Sequence, residues 1–204
     1  MDDSIADRYK EVYETLDYGP ITTARGLMAA IEEEQYLPRK SKILCVGSGN
    51  SYEAVWLALQ GHDVTTLDFH HPKVKILEGK QVCGKGQAMP FDTYTFDWVL
   101  SAECAEHIPE KEIDKFLKEI LRVGKGLYYI TASDEDDPPY HTHLCIHGVE
   151  WWMRRLKKNG FGITHVRINP IHHLFIKNED GTTSKMRASF TKCITFHLTA
   201  QLSQ

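Results

Sequence analysis

The feature that most constrains this chain is a short apolar run that breaks off in a glycine turn. Ile43-Leu44-Cys45-Val46 leads straight into Gly47-Ser48-Gly49-Asn50-Ser51. Consecutive apolar residues bounded by glycine suit a strand covered on both faces, as in a parallel sheet. Glycines directly after such a strand let the backbone turn sharply and come close to a ligand. The third glycine position of the turn holds Ser51. Alone, the turn leaves two readings open: a structural entry into a helix, or a cradle for a nucleotide-type ligand.

The residues downstream of the turn narrow the choice. Residues 52–59 read as a helix and residues 63–67 as a second buried strand, which makes a βαβ unit. Asp68 closes that strand about 20 residues past the glycines, where a carboxylate can accept both hydroxyl hydrogens of an adenosine ribose. A solvated strand-end aspartate is the alternative. Alternation continues with a strand at 95–100, a helix at 111–123, a strand at 126–131 and a helix at 149–158 that ends at Asn159-Gly160. Strands come next at 164–168, 173–177 and 187–198. Asn178-Glu179-Asp180-Gly181 supplies a turn between the last two, so an antiparallel hairpin should finish the sheet. The pattern predicts an α/β doubly wound fold, with helices on both faces of a largely parallel sheet and ligands at its carboxyl edge.

A length of 204 residues suits one domain, with residues 1–40 as an N-terminal helical segment over the site and 41–204 as the core. Within 5–36, apolar residues at helical spacing are interrupted by Gly19-Pro20, which reads as two helices. The chain opens Met1-Asp2-Asp3-Ser4, and no stretch reaches the roughly 18 apolar residues of a spanning helix. The expectation is a cytoplasmic protein with no membrane partner. Five cysteines without a Cys-x-x-Cys pair fit reduced thiols. A net charge of -4 and the lack of a Lys/Arg block argue against a nucleic-acid surface.

The segments from Gln87 onward decide which nucleoside ligand is meant. Gln87-Ala88-Met89-Pro90-Phe91-Asp92, with Phe96-Asp97-Trp98-Val99-Leu100-Ser101 after it, resembles the adenine loop and fourth strand of the class I S-adenosylmethionine-dependent methyltransferases, in their small type 11/23-like form. Glu106-His107-Ile108-Pro109 resembles that family's Glu-His pair, and residues 116–123 its helix before the fifth strand. The resemblance spans about residues 42–161. It implies a Rossmann-like, mostly parallel seven-stranded sheet with a C-terminal antiparallel hairpin, S-adenosylmethionine as cofactor, and methyl transfer as activity. It also implies that Gly47, Ser48 and Gly49 pack against the methionine portion, Asp68 holds the ribose, Phe69 flanks the adenine, and Gln87-Ala88 lie at the adenine edge. Many relatives carry an aspartate just before the adenine loop, whereas Cys83-Gly84-Lys85-Gly86 offers none. The side-chain carbonyl of Gln87 is the substitute acceptor.

Ser101, Ala102 and Glu103 come after the fourth strand where cofactor and substrate should meet. Glu106 and His107 read first as a packing pair at a helix start. Arg25 is a candidate partner for the cofactor carboxylate, against an ordinary surface arginine. The loop from Asp134-Glu135-Asp136-Asp137 through His141-Thr142-His143 to His147 has three readings. These are a solvated acidic turn, a general base with His143 as the catalytic candidate, and a divalent metal held by Asp134, Asp136 and His143. Of these, His143 as base carries the catalytic assignment, with no metal expected. His172-His173 have a fainter claim on the pocket, and Trp151 and Trp152 read as helix-to-core anchors. A small polar molecule methylated on oxygen or nitrogen is the expected substrate. A non-catalytic S-adenosylmethionine-binding or regulatory protein and an NAD-dependent oxidoreductase are the rivals.

Overall fold

Strand β1 (Lys42–Val46) exposes its first residue and buries the next four. It runs parallel to β2 (Asp63–Asp68) on one side and β4 (Phe96–Ser101) on the other, with Ile43 opposite both Val64 and Trp98. Strands β3 (Gln81–Cys83), β5 (Gly124–Ser133), β6 (Phe161–Asn169) and β9 (Cys193–Ala200) complete a seven-stranded sheet in the order β3-β2-β1-β4-β5-β9-β6. The first four pairings are parallel, and β9 is antiparallel to both β5 and β6. The structure is a computed structural model. It describes residues 26–27, 29–31, 34–35, 37–49, 51–70, 80–136, 141–169, 174–177, 183–186 and 193–200, with side chains left out at 169, 174–177, 183–186 and 193.

Period-two alternation sorts the strand residues onto two faces. Ile43, Cys45, Val64, Leu100 and Tyr129 pack with Ala54 and Leu57 of helix α1 (Tyr52–Leu59) and with Ala29 and Ala30. Leu44, Val46, Leu67, Val99 and Ile130 pack against helices α2 (Ile113–Val123) and α3 (Val149–Lys158). Helix α2 buries Ile113, Phe116, Leu117, Ile120 and Val123, the three- and four-residue spacing of a single apolar stripe. Each fully buried Leu, Ile or Phe there contributes roughly 1.5–3 kcal/mol. Between Phe96 and Trp98 the β4–β5 register shifts. Phe96 thus joins the α2 face, edge-on to Phe91 with ring centroids 5.0 Å apart, although its parity matches Trp98 on the other face.

Helices α1 and α3 span the residues expected of them. Strand β3 was not foreseen, because three residues carry no readable period. The C-terminal pairing also differs in detail. Strand β7 (Leu174–Lys177) pairs with β8 (Thr183–Met186) in a separate two-stranded sheet. The antiparallel end of the main sheet is formed instead by β6 and β9, which read as non-neighbours only because that small hairpin lies between them in sequence. The turn Asn178-Glu179-Asp180-Gly181 and His172-His173 lie outside the described residues. Trp152 is fully buried, as a core anchor should be, while Trp151 is half-buried and stacks on His147 with 3.9 Å between ring centroids. No described helix is long and apolar enough to cross a membrane.

Candidate active site

The glycine turn after β1 is built from left-handed backbone. Gly47 has φ 69° and Gly49 φ 46°, a region that side-chain-bearing residues enter at a cost of roughly 1–2 kcal/mol. A Cβ on Gly47 would lie 2.4 Å from Cys104 Sγ, so the segment after β4 packs directly onto the turn. Ser51 stands at the third glycine position, and it too is left-handed, at φ 62°. The backbone a glycine would favour is thus kept without the glycine. Its buried hydroxyl reaches Ser48 Oγ at 3.2 Å, and the Ser51 carbonyl accepts the Val55 N–H at 3.0 Å to start α1.

Asp68 ends β2 beside this turn and is buried. Its Oδ2 accepts the Gly49 N–H at 2.9 Å and its Oδ1 the His70 N–H at 3.0 Å. Burial pushes its carboxyl above the ordinary range, and the backbone amides of His70, Gly49 and Phe69 pull it back. A carboxylate has about four lone-pair sites. Three amide bonds, from Gly49, His70 and Phe69, therefore leave about one site for a further donor.

Glu53 lies in the first turn of α1. Its carboxyl is buried and pushed up to about 8, first by desolvation and then by the charge of Asp68. A Cβ on Gly26 would come 3.2 Å from Glu53 Oε2, so the helical residue next to Arg25 lies against this carboxyl. Arg25 itself is outside the described residues. An acidic residue in the first turn of a helix ordinarily reads as a favourable dipole partner on the surface, and nothing in the pattern marked it as buried.

The loop after β3 is tied to the end of β2, with the Gly84 N–H on the Asp68 carbonyl at 2.8 Å and the Cys83 thiol on the Phe69 carbonyl at 3.3 Å. Gln87 donates from Nε2 to Glu112 Oε2 at 2.8 Å. Its Oε1 is buried without a hydrogen-bond partner among the described residues. Ala88 is exposed. Next along, Glu119 and Arg122 of α2 clamp the loop: Arg122 donates to the Phe91 and Met89 carbonyls at 2.6 and 3.0 Å, and Glu119 accepts the Met89 N–H at 2.7 Å. This ion pair has no distinct signature in the sequence, since a Glu and an Arg three apart on a helix resemble any solvated pair.

At the ends of β4 and β5 the chain gathers side chains of a different kind. Ser101 is fully buried beside Cys104, Ala102 packs on the α1 face, and Glu103 takes φ 52° with its carboxylate receiving the Thr131 hydroxyl at 2.9 Å. Glu106, in a single 3-10 turn (Ala105–His107), is fully buried and accepts the Ser133 N–H at 3.1 Å. Its carbonyl receives the N–H groups of Leu144 and Cys145 at 2.7 and 2.9 Å. The ring of His107 meets that of His143 with centroids 4.7 Å apart. Asp136 pairs with His141 instead of joining His143, so the ligand set Asp134, Asp136 and His143 is not assembled. The packing reading of Glu106 and His107 is half right, because they anchor the loop and also bring His143 to the carboxyl edge.

Residues 44–127 match the model of a family described as a methyltransferase domain. Among solved structures, the chain is similar to a 1,6-didemethyltoxoflavin-N1-methyltransferase of Burkholderia thailandensis, with 16% identity, TM-score 0.72, and 98% of this chain and 88% of that one covered. It is also similar to a TehB-like S-adenosylmethionine-dependent methyltransferase of Corynebacterium glutamicum, with 16% identity, TM-score 0.63, and 98% and 100% covered. The [4+2]-cyclase SpnF has the same fold at 16% identity and TM-score 0.64, with 87% and 81% covered. The glycine turn, the β2 aspartate and the loop before β4 all fall inside the segment that matches the methyltransferase-domain model, and the seven-stranded sheet is the fold this chain has in common with those S-adenosylmethionine-dependent methyltransferases.

Proposed function

We propose that this chain transfers the methyl group of S-adenosylmethionine to an oxygen or nitrogen of a small polar substrate. The observation that carries the reading is the junction of Asp68 with the glycine turn, in which the Gly49 N–H fixes a buried carboxylate at the end of β2. Two details suit the cofactor. Asp68 keeps acceptor capacity for a ribose hydroxyl, and the buried Gln87 Oε1 is an acceptor suited to an adenine amino group. Gly47, Ser48 and Gly49 bound the methionine portion, Phe69 and Ala88 flank the adenine, and Ser101-Ala102 close the base of the pocket.

When bound, S-adenosylmethionine supplies a methyl carbon on a sulfonium, and its C–S bond breaks toward sulfur as an acceptor lone pair forms the new bond. The protein's own contribution is alignment and exclusion of water, where effective molarities of roughly 10⁵–10⁸ M are available to well-oriented groups. Proton removal from a hydroxyl acceptor falls to His143. Its Nδ1 lies 2.5 Å from the Glu135 carbonyl, which can only accept, so Nδ1 carries the hydrogen and Nε2 is the basic nitrogen. The fold alone does not select this chemistry, since a cyclase shares it.

Calorimetry with S-adenosylmethionine, S-adenosylhomocysteine and NAD tests the reading. The first two bind at one site and NAD does not. Asp68→Ala weakens S-adenosylmethionine by at least about 10-fold, since a hydrogen bond to a charged group contributes about 1.5–3 kcal/mol. Binding of NAD alone would overturn the proposal, and a labelled-methyl screen of small polar metabolites identifies the acceptor.

A further inference from the structure

A carboxylate oxygen of Glu106 and one ring nitrogen each from His107 and His143 all lie within 4.8 Å of one another. The three residues come from two loops at the carboxyl edge. Glu106 and His107 lie after β4, and His143 after β5, 36 positions further on in sequence than His107.

Each histidine is held in the same tautomer. His107 places Nδ1 3.1 Å from the Thr142 carbonyl, and His143 places Nδ1 2.5 Å from the Glu135 carbonyl. A backbone carbonyl only accepts, so each Nδ1 bears the hydrogen and each neutral ring has its lone pair on Nε2. This is the outer-sphere arrangement that orients imidazole for a metal. The carboxylate is held by the same framework. Ser133 donates its N–H to Glu106 and its hydroxyl to the Glu135 carbonyl at 3.1 Å, the carbonyl that also receives His143. Glu106 and His143 are thereby fixed through residues 133–135, while the Leu144 and Cys145 amides lock the second loop onto Glu106.

We propose that Glu106, His107 and His143 form a two-histidine, one-carboxylate site for a divalent transition-series cation, which binds an oxygen of the methyl acceptor in an open position. Two imidazoles favour Zn²⁺, Co²⁺, Fe²⁺ or Mn²⁺ over Mg²⁺ and Ca²⁺, which select oxygen donors. Three protein ligands leave room for an exogenous oxygen. This deepens the methyl-transfer reading and rests on it for the acceptor's role. A coordinated hydroxyl would lose its proton to solvent, and its oxygen lone pair would form the bond to the methyl carbon as the C–S bond breaks with its electron pair going to sulfur. With the cation bound, the Nε2 lone pair of His143 is taken up as a ligand, so His143 acts through the cation in place of accepting the proton itself. Cys104, two residues before Glu106, backs the glycine turn, so the cation site and the cofactor turn share one segment.

The test uses untagged protein stripped with EDTA and titrated with Co²⁺, monitored by visible absorption, with Zn²⁺ as competitor. Wild type binds one Co²⁺ per chain and releases it to Zn²⁺. His143→Ala and His107→Ala each weaken binding about 100-fold or more, beyond the 10- to 100-fold typical of losing an outer-sphere partner. His141→Ala leaves it unchanged, because His141 pairs with Asp136 away from the cluster. His143 is only half-buried, so its variant retains the fold, checked by circular dichroism. Wild type without a Co²⁺ spectrum, or His143→Ala binding Co²⁺ as wild type does, overturns the proposal. S-adenosylmethionine calorimetry on the same stripped samples reads the cofactor assignment separately, and its failure would leave the cation result standing.

Discussion

The two halves of the carboxyl edge are built by different means. On the β1–β2 side the site is backbone: left-handed glycines, an αL serine and amides pointed at one aspartate, all within 26 positions of sequence from His70 back to Leu44. On the β4–β5 side it is side chain, with a carboxylate and two imidazoles drawn from loops far apart in sequence and held by carbonyls and amides. A backbone site recognises what all members of a family bind. A side-chain site is free to differ in what it accepts, because no turn geometry depends on it.

Changing the carboxyl buried under the first half should have the largest effect on stability. Glu53 titrates near 8 in the folded chain against 4.5 as its ordinary value, so the folded state holds the proton more tightly. Its contribution is full below about pH 4.5 and is lost as pH rises toward 8, at about 1.4 kcal/mol per unit. Glu53→Gln removes that slope. Urea unfolding should show the variant more stable than wild type by several kcal/mol at pH 8.5, with the two alike near pH 5.

Gly47→Ala comes next. It combines a left-handed residue with a Cβ pressed on Cys104, and is expected to destabilise by about 2–5 kcal/mol. Adding Cys104→Ala should recover the steric part. Gly148→Ala on the acceptor side, where a Cβ meets nothing within 4 Å, should stay within about 1 kcal/mol by the same denaturation assay. Equal losses at Gly47 and Gly148 would erase the contrast between the two halves.

The smallest change is expected of Ser51→Gly, which relieves αL strain of about 1–2 kcal/mol but gives up the buried hydroxyl contact to Ser48 and frees the unfolded chain. A net shift under about 1 kcal/mol in either direction, read as a change in melting temperature, marks the serine as a tolerated replacement. A larger loss would make its hydroxyl part of the turn's design.

Legibility in the sequence obeys the same division. The βαβ unit, the turn and Asp68 are local, and apolar runs with glycine punctuation expose them. Helix α3 and the buried Trp152 were likewise readable from a 3.6-residue period. Strand β3 was too short to show a period, and the β4 bulge moves Phe96 against its parity. The burial of Glu53 and the meeting of Glu106, His107 and His143 depend on which elements lie over them. Position along the chain does not contain that information, and His143 stands out in the sequence only for its chemistry.

The place of β9 has a consequence for how the chain is made. The last described strand occupies an interior slot between β5 and β6, bonded to both along most of its length. Until residues 193–200 leave the ribosome, two long strands carry open hydrogen-bonding edges with nothing between them. That is the kind of exposed ladder that invites pairing with another nascent copy. Synthesis of this protein therefore passes through a window of vulnerability that closes only when β9 emerges, and the yield of folded chains should be most sensitive to temperature and concentration during that interval.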